Sequence, residues 1–134
     1  KRIYMSRERA NKRKILNETE IINILKRYDF EIIYVEELTY EDQVRLCSET
    51  SHLISIHGAT LANMLFMKSG TSVMEIKNIN DYHNNCYYSL ASSLNINYYY
   101  TFGKAINIEK DNQSDIIVDK NLFENELKTF IKED

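Results

Sequence analysis

Several residue types that mark particular protein classes are scarce in this sequence of 134 residues. It has no proline and no tryptophan, three glycines, and two cysteines, Cys47 and Cys86. Two cysteines are too few for a disulfide framework and match no zinc-binding spacing, so we expect both to be buried free thiols within helices. These 134 residues contain no signal-peptide pattern and no apolar run long enough to cross a bilayer, so we expect no membrane segment in this chain.

Other absences narrow the function. The net charge of −3 argues against a general nucleic-acid binder, which needs a basic surface. The turn containing Gly58 has only one of the three glycines that a dinucleotide fingerprint requires. No Asp-x-Asp pair is present, and no histidine lies in a metal-ligand pattern. We therefore expect neither a metal nor a cofactor.

Short β-rich runs alternate with amphipathic stretches along the whole chain. Strands are predicted at 3–5, 30–35, 52–57, 72–76, 97–102 and 116–118, and helices from Asn17 (capped by its side chain), from Thr39, after Gly58, at 84–94 and at 119–132. This alternation implies right-handed βαβ units and a mainly parallel sheet covered on both faces. We predict an α/β, Rossmann-like three-layer sandwich forming one domain over residues 1–134.

Unusual residues follow the predicted strand 52–57, at the sheet edge where ligands bind in this architecture. The chain continues as His57-Gly58-Ala59-Thr60, with Asn63 one helical turn beyond. Gly58 allows the backbone to approach a ligand, and His57 can donate to a phosphate or transfer a proton. The plainer interpretation is a strand-to-helix turn with a locally bonded histidine.

Two further segments lie at strand ends. In the basic loop after the first strand, Arg7 and Arg13 are candidates for a diphosphate clamp, because a guanidinium fork matches phosphate oxygens in pairs. Glu75 can accept both hydroxyls of a ribose, or it is a surface or salt-bridged glutamate. The remaining features are expected to be structural: solvated Arg9, Lys12 and Lys14, helix-start residues Asn17 and Glu18 beside the basic loop, and Tyr98-Tyr99-Tyr100 as core and rim.

An ordered set of short motifs from about residue 2 to residue 100 resembles the glycosyltransferases of family 61. The motifs are Ser6-Arg7, Arg13-Lys14-Ile15-Leu16-Asn17-Glu18, Glu37-Leu38 with Gln43, His57-Gly58-Ala59-Thr60-Leu61-Ala62-Asn63, Leu65-Phe66-Met67, Val73-Met74-Glu75, Cys86-Tyr87-Tyr88 and Leu90-Ala91. Thr60 and Ala62 stand where the family often shows Gly and Thr.

The resemblance implies one half of a GT-B architecture, the C-terminal half that binds the nucleotide sugar, with a missing N-terminal acceptor-binding domain as partner. It implies inverting, metal-independent transfer from a UDP-sugar to a glycan, capsule or lipopolysaccharide acceptor, in the cytoplasm or in a eukaryotic Golgi or ER lumen. This half alone is expected to be inactive. The implied substrate-binding residues are Arg7, Arg13, Asn17, Glu18, His57, Gly58, Ala59, Thr60, Asn63 and Glu75, with His57 also the catalytic candidate.

Three alternatives remain open. A flavodoxin-like or receiver-like binding module is disfavoured, since receiver domains need acidic residues where this first strand ends in arginines. Another nucleotide-dependent enzyme, such as a methyltransferase or dehydrogenase, is disfavoured by the lack of a glycine-rich first turn. The sequence does not exclude a family member that binds nucleotide without transferring sugar.

Overall fold

A computed structural model describes residues 1–9, 13–81, 85–106 and 114–132. The strands are β1 (Arg2–Ser6), β2 (Glu31–Tyr34), β3 (His52–Ile56), β4 (Ser72–Asn78), β5 (Asn97–Ala105) and β6 (Ile116–Val118). The α-helices are α1 (Glu18–Arg27), α2 (Tyr40–Ser48), α3 (Cys86–Ser93) and α4 (Lys120–Lys132), with 3₁₀ turns at Val35–Glu37, Ala59–Phe66 and Ile79–Asp81. Residue 84, the expected start of the third long helix, lies outside the described residues.

All six strands form one sheet in the order β2-β1-β3-β4-β5-β6. The first five are parallel, and β6 runs antiparallel to β5. The predicted α/β class with a mainly parallel sheet is therefore confirmed. The strand order reverses at β1, because β2 lies on one side of it and β3 on the other.

Helices pack on both faces of the sheet, as the apolar spacing predicts. On one face, α1 buries Ile21 and Leu25, and α4 buries Phe123, Leu127 and Phe130. On the other face lie α2, the 3₁₀ turns Ala59–Phe66 and α3. Each fully buried Leu or Phe side chain contributes roughly 1.5–3 kcal/mol, so both layers hold the sheet from which the strand-end loops emerge.

The segment after β3 differs from the expected α-helix. It forms 3₁₀ turns, in which side chains three residues apart lie on the same face. Accordingly Leu61, Met64 and Met67 are buried, while Leu65 is 54% exposed. The apolar residues in this stretch fit a period of three better than one of 3.6.

Asn17 does not cap α1 with its side chain, contrary to the prediction. Its amide donates to the carbonyl of Val118 at 2.6 Å, and its oxygen accepts from the Val118 N–H at 3.1 Å. Just before it, Ile15 pairs with Ile116 as an isolated parallel bridge. The end of the basic loop is thereby attached to β6, which the local sequence pattern does not reveal. By contrast, the Thr39 hydroxyl accepts from the Asp42 N–H at 3.1 Å and caps α2 as predicted.

The two cysteines lie in different environments. Cys47 is buried as predicted, and burial raises the pKa of its thiol to about 11. Cys86 is exposed in the first turn of α3, so the prediction of a second buried thiol is wrong. Its helical apolar neighbours mislead because α3 buries only Ala91 completely.

Candidate functional site

The loops after β1 and β3 leave the sheet at adjacent carboxyl ends, where the strand order reverses. In open α/β sheets this is the position at which ligands bind. Arg7 follows β1 and His57 follows β3, and the His57 N–H donates to the carbonyl of Ile76 at 2.9 Å, which continues the pairing of β3 with β4. We name the group Arg7, Arg13, His57, Gly58 and Lys77 the carboxyl-edge site.

Two guanidinium groups converge on the backbone of Gly58. A Cβ placed on this glycine would lie 3.4 Å from Arg7 Nη1 and 3.5 Å from Arg13 Nη1. Because glycine has only a hydrogen atom at that position, the Gly58 backbone and the two guanidinium groups border the same small volume. The structure thus brings together three residues that the sequence placed in two separate loops.

Burial and mutual repulsion shape the two arginines. The pKa of Arg7 is lowered, first by burial and then by the positive charge of Arg13. Arg13 adopts a left-handed backbone conformation, with φ of 59°, and its Nε is buried without a hydrogen bond to any described residue. Two close, partly desolvated cations are the arrangement that an anion with several oxygens stabilises.

The backbone around Arg13 is anchored on the β6 side. The N–H of Lys14 donates to Asp115 Oδ1, and the N–H of Ile116 donates to the Lys14 carbonyl, both at 2.9 Å. These bonds fix the backbone of Lys14, the residue after Arg13. Long-range contacts therefore support the strained φ of Arg13. Ser114 and Ile116 border the crevice that Arg13 and His57 line.

Arg9, a third arginine of this loop, has partners of its own. Arg9 pairs with Glu37 and stacks over the ring of Tyr34, 4.3 Å from its centroid. Lys12 lies outside the described residues. Among the residues of this loop that the structure describes, Arg7 and Arg13 are the ones whose guanidinium groups lie against Gly58.

His57 is held by a buried carboxylate. Its Nδ1 hydrogen-bonds Glu75 Oε2, and its ring makes an edge contact with Tyr87 at 5.1 Å between centroids. Glu75 itself is 0% exposed. A histidine bonded through Nδ1 to a carboxylate has a defined ring orientation, as in many catalytic and phosphate-binding sites.

Glu75 matches the salt-bridged alternative of the two interpretations given for it. Its second oxygen, Oε1, accepts from the Tyr98 hydroxyl at 2.5 Å. Burial, followed by this bond, raises the pKa of Tyr98, so the hydroxyl remains a donor. With one oxygen bonded to His57 and the other to Tyr98, Glu75 positions His57 in this structure.

Lys77 was not singled out from the sequence. It lies two residues after Glu75 on the same face of β4, is only 4% exposed, and lines the crevice with Arg13 and His57. The signal was available, because a lysine in a wholly buried strand is unusual. Lys77 adds a cation on the β4 side of the carboxyl-edge site.

Asn63 and its neighbours divide between core and surface. Asn63 is buried, and its amide donates to the Thr60 carbonyl at 2.9 Å. Ala59 is exposed and Thr60 is partly so, at the start of the 3₁₀ turns beside Gly58. Asn63 therefore supports the loop, while Ala59 and Thr60 border its open side.

Glu18 is buried beneath β1. It accepts from the Tyr4 hydroxyl at 2.6 Å and from the Ser6 hydroxyl at 2.9 and 3.0 Å. Because Ser6 precedes Arg7 in the chain, its hydrogen bonds to Glu18 fix the end of β1 next to Arg7. Like Asn17, it lies near the basic loop, as expected, with its polar atoms bonded to the protein.

The described residues form neither a metal-binding cluster nor a membrane-spanning helix. Across the described ranges, no three His, Cys, Asp or Glu side chains converge as a metal site would need. In the part of the chain that the structure covers, no helix is both long and apolar enough to cross a bilayer.

Comparison with known proteins decides the family. The sequence profile described as Glycosyltransferase 61 matches residues 1–74, more than half of the chain. This chain belongs to glycosyltransferase family 61. The match includes Arg7, Arg13, His57 and Gly58, so most of the carboxyl-edge site lies within the region that family 61 defines.

Individual family 61 relatives cover the same region. The EGF domain-specific O-linked N-acetylglucosamine transferase of Rattus norvegicus is 39% identical over 97 residues, 69% of this chain and 18% of that protein. The Drosophila melanogaster protein of the same name is 34% identical over 98 residues, 71% of this chain and 18% of its own length. The protein O-linked-mannose beta-1,4-N-acetylglucosaminyltransferase 2 of Homo sapiens is 39% identical over 72 residues, 51% of this chain and 12% of that protein. The alignments thus span less than a fifth of each relative.

Proposed function

We propose that this chain binds the diphosphate of a nucleotide sugar, UDP-linked, at the carboxyl-edge site and serves as the donor-binding half of a glycosyltransferase. The observation that carries the proposal is the convergence of Arg7 and Arg13 over the backbone of Gly58. A diphosphate has the charge and the paired oxygens that two guanidinium groups recognise. Membership of family 61 supplies the reaction class.

The arginines have a direct role in this reaction. When the bond between the sugar and the diphosphate breaks, negative charge grows on the departing phosphate. Arg7, Arg13 and the buried amine of Lys77 stabilise that charge where it develops, and a site shielded from water strengthens each interaction. Because these cations stabilise the leaving group without a metal ion, we propose metal-independent transfer. We propose inversion because the resemblance to family 61 implies it.

His57 is placed for one of two roles beside the bound nucleotide sugar. Held by Glu75 through Nδ1, it either donates to a phosphate oxygen or takes the proton of the acceptor hydroxyl. We propose the first task, because His57 is adjacent to Gly58 in the loop that the arginines border. The general base is then supplied by an acceptor-binding half outside this chain.

The names of the relatives narrow the substrate. They describe transfer of N-acetylglucosamine, to EGF domains in one case and to O-linked mannose in the other. We therefore propose UDP-N-acetylglucosamine as the donor and a glycan or glycoprotein as the acceptor. The alternative left open by the sequence, a family member that binds nucleotide without transferring sugar, also binds UDP. The first test is therefore the same for both.

That test is calorimetric titration of the purified chain with UDP. Arg13→Ala removes charge-assisted hydrogen bonds, so UDP affinity is expected to fall by about 1.5–3 kcal/mol, or roughly ten- to a hundredfold. Arg45→Ala is the matched control, because Arg45 is an exposed arginine of α2 beside Asp42. Equal UDP affinity in Arg13→Ala and the parent chain refutes the clamp. Loss of binding in EDTA refutes metal independence.

A further inference from the structure

A second concave surface adjoins the carboxyl-edge site on the α3 face of the sheet. It is a groove of about 470 Å³ lined by Lys77, Asn85, Tyr88, Tyr98, Tyr100 and Phe102. We name these six residues the aromatic groove. Its volume is within the range of small-molecule sites, and four aromatic rings with a few polar groups are a usual lining for one.

The rings form a connected row. Tyr98, Tyr100 and Phe102 lie at every second position of β5, so their side chains share one face of the sheet. The ring centroids of neighbours are 6.2 Å and 5.2 Å apart. Tyr88 of α3 contacts Tyr98 edge-on at 5.5 Å. Tyr88 is 53% and Tyr100 54% exposed, so the groove presents rings to solvent. Tyr98 and Tyr99 pack against the two core clusters, as the prediction of core and rim requires.

The groove is continuous with the carboxyl-edge site. Tyr100 is the register partner of Glu75, and Phe102 that of Lys77. Lys77 lines both the crevice beside His57 and the aromatic groove. In addition, the Tyr98 hydroxyl donates to the same Glu75 carboxylate that holds His57. Lys77 therefore borders both a phosphate placed beside His57 and a ring placed in the aromatic groove.

The strand order indicates which end of a nucleotide sugar points this way. In dinucleotide-binding Rossmann sheets, an acidic residue downstream of the first βα turn binds the ribose. Here Glu36 follows β2, and its carboxylate is close enough to act on the charge of Arg7. The nucleoside then lies towards β2, and the sugar at the other end of the diphosphate lies towards β4 and β5.

We propose that the aromatic groove binds the transferred sugar ring of the nucleotide sugar, an inference that rests on the proposed function. A pyranose has an apolar C–H face that packs on an aromatic ring, and Tyr100 and Tyr88 offer exposed rings for it. Its hydroxyls meet the hydroxyl groups of the tyrosines and the amide of Asn85. Lys77 lies at the junction, beside the bond between sugar and phosphate.

The test compares UDP with UDP-N-acetylglucosamine and UDP-xylose on the purified chain. In saturation-transfer NMR, the sugar-ring protons are expected to receive saturation from the aromatic protons and to shift upfield. By calorimetry, Tyr100→Ala and Tyr88→Ala are expected to lower the affinity for the UDP-sugars by roughly three- to tenfold, with UDP itself changed less than about twofold. Tyr40→Ala, an exposed tyrosine of α2, controls for loss of a surface ring.

The outcomes separate this inference from the function on which it rests. If UDP binds but the sugar protons receive no saturation, or both tyrosine variants keep the parent preference, the sugar subsite is refuted and the diphosphate site stands. If UDP weakens as much as the UDP-sugars, the groove holds the base, and the inference is equally wrong. If the parent chain binds no UDP, the proposed function fails and the subsite with it.

Discussion

Replacing Gly58 with alanine separates the ligand role of this position from its structural role. Gly58 has φ of 156° and ψ of 177°, a region that is almost restricted to glycine. A side chain there costs roughly 1–3 kcal/mol. With unfolding entropy scaled to 134 residues, each 1 kcal/mol lowers Tm by about 3–4 °C. We expect Gly58→Ala to melt about 3–10 °C below the parent chain.

The effect on binding has a different origin. The added methyl would lie 3.4 Å from Arg7 Nη1 and 3.5 Å from Arg13 Nη1, which is ordinary contact. The free protein therefore accommodates it without moving the arginines. A phosphate cannot share that volume, so it loses charge-assisted bonds to at least one arginine, about 1.5–3 kcal/mol. UDP affinity is expected to fall at least tenfold.

Gly70→Ala is the matched control. Gly70 also has a positive φ, of 87°, and a Cβ there meets nothing within 4 Å. This variant carries backbone strain away from the site, so it is expected to lose stability while binding UDP like the parent chain. Differential scanning fluorimetry and calorimetry measure the two effects. If Gly58→Ala binds UDP as tightly as Gly70→Ala, the phosphate does not lie against Gly58, and the reasoning is wrong.

Two further predictions concern the framework. Asn17→Ala leaves the N–H and C=O of Val118 without their side-chain partners, so unfolding free energy is expected to fall by about 1–3 kcal/mol. Asn23→Ala, at an exposed position of α1, should change it by less than about 0.5 kcal/mol; equal effects would contradict the assigned role of Asn17. N-ethylmaleimide at pH 8 is expected to modify exposed Cys86 and to spare Cys47, whose buried thiol has a pKa raised to about 11. Mass spectrometry should show one adduct on the native chain and two in denaturant, and two adducts on the native chain would contradict the burial of Cys47.

The fold was predictable because its signals are local. Apolar residues at helical spacing in α1 and α4, the β-rich runs and the Thr39 cap all act within a few residues of one another. The errors arise where long-range contacts overrule local preference. Asn17 has the residue type of a helix cap, yet its amide bonds to Val118, about a hundred residues away in the chain, and no local pattern carries that information.

The sequence by itself determined the layered α/β class, the family, and which residue types stand at the strand ends. Arg7, Arg13 and His57 were identifiable because strand-end loops of parallel sheets meet at one edge. Only the tertiary structure decided how these side chains are used. It placed both guanidinium groups beside Gly58, and it buried the Glu75 carboxylate, which bonds to His57. It also set Lys77 beside an exposed row of aromatic rings, since β4 and β5 become neighbours only when the sheet forms. The register between distant segments decides which residues of different strands become neighbours on one face of the sheet. Register is a property of the assembled sheet.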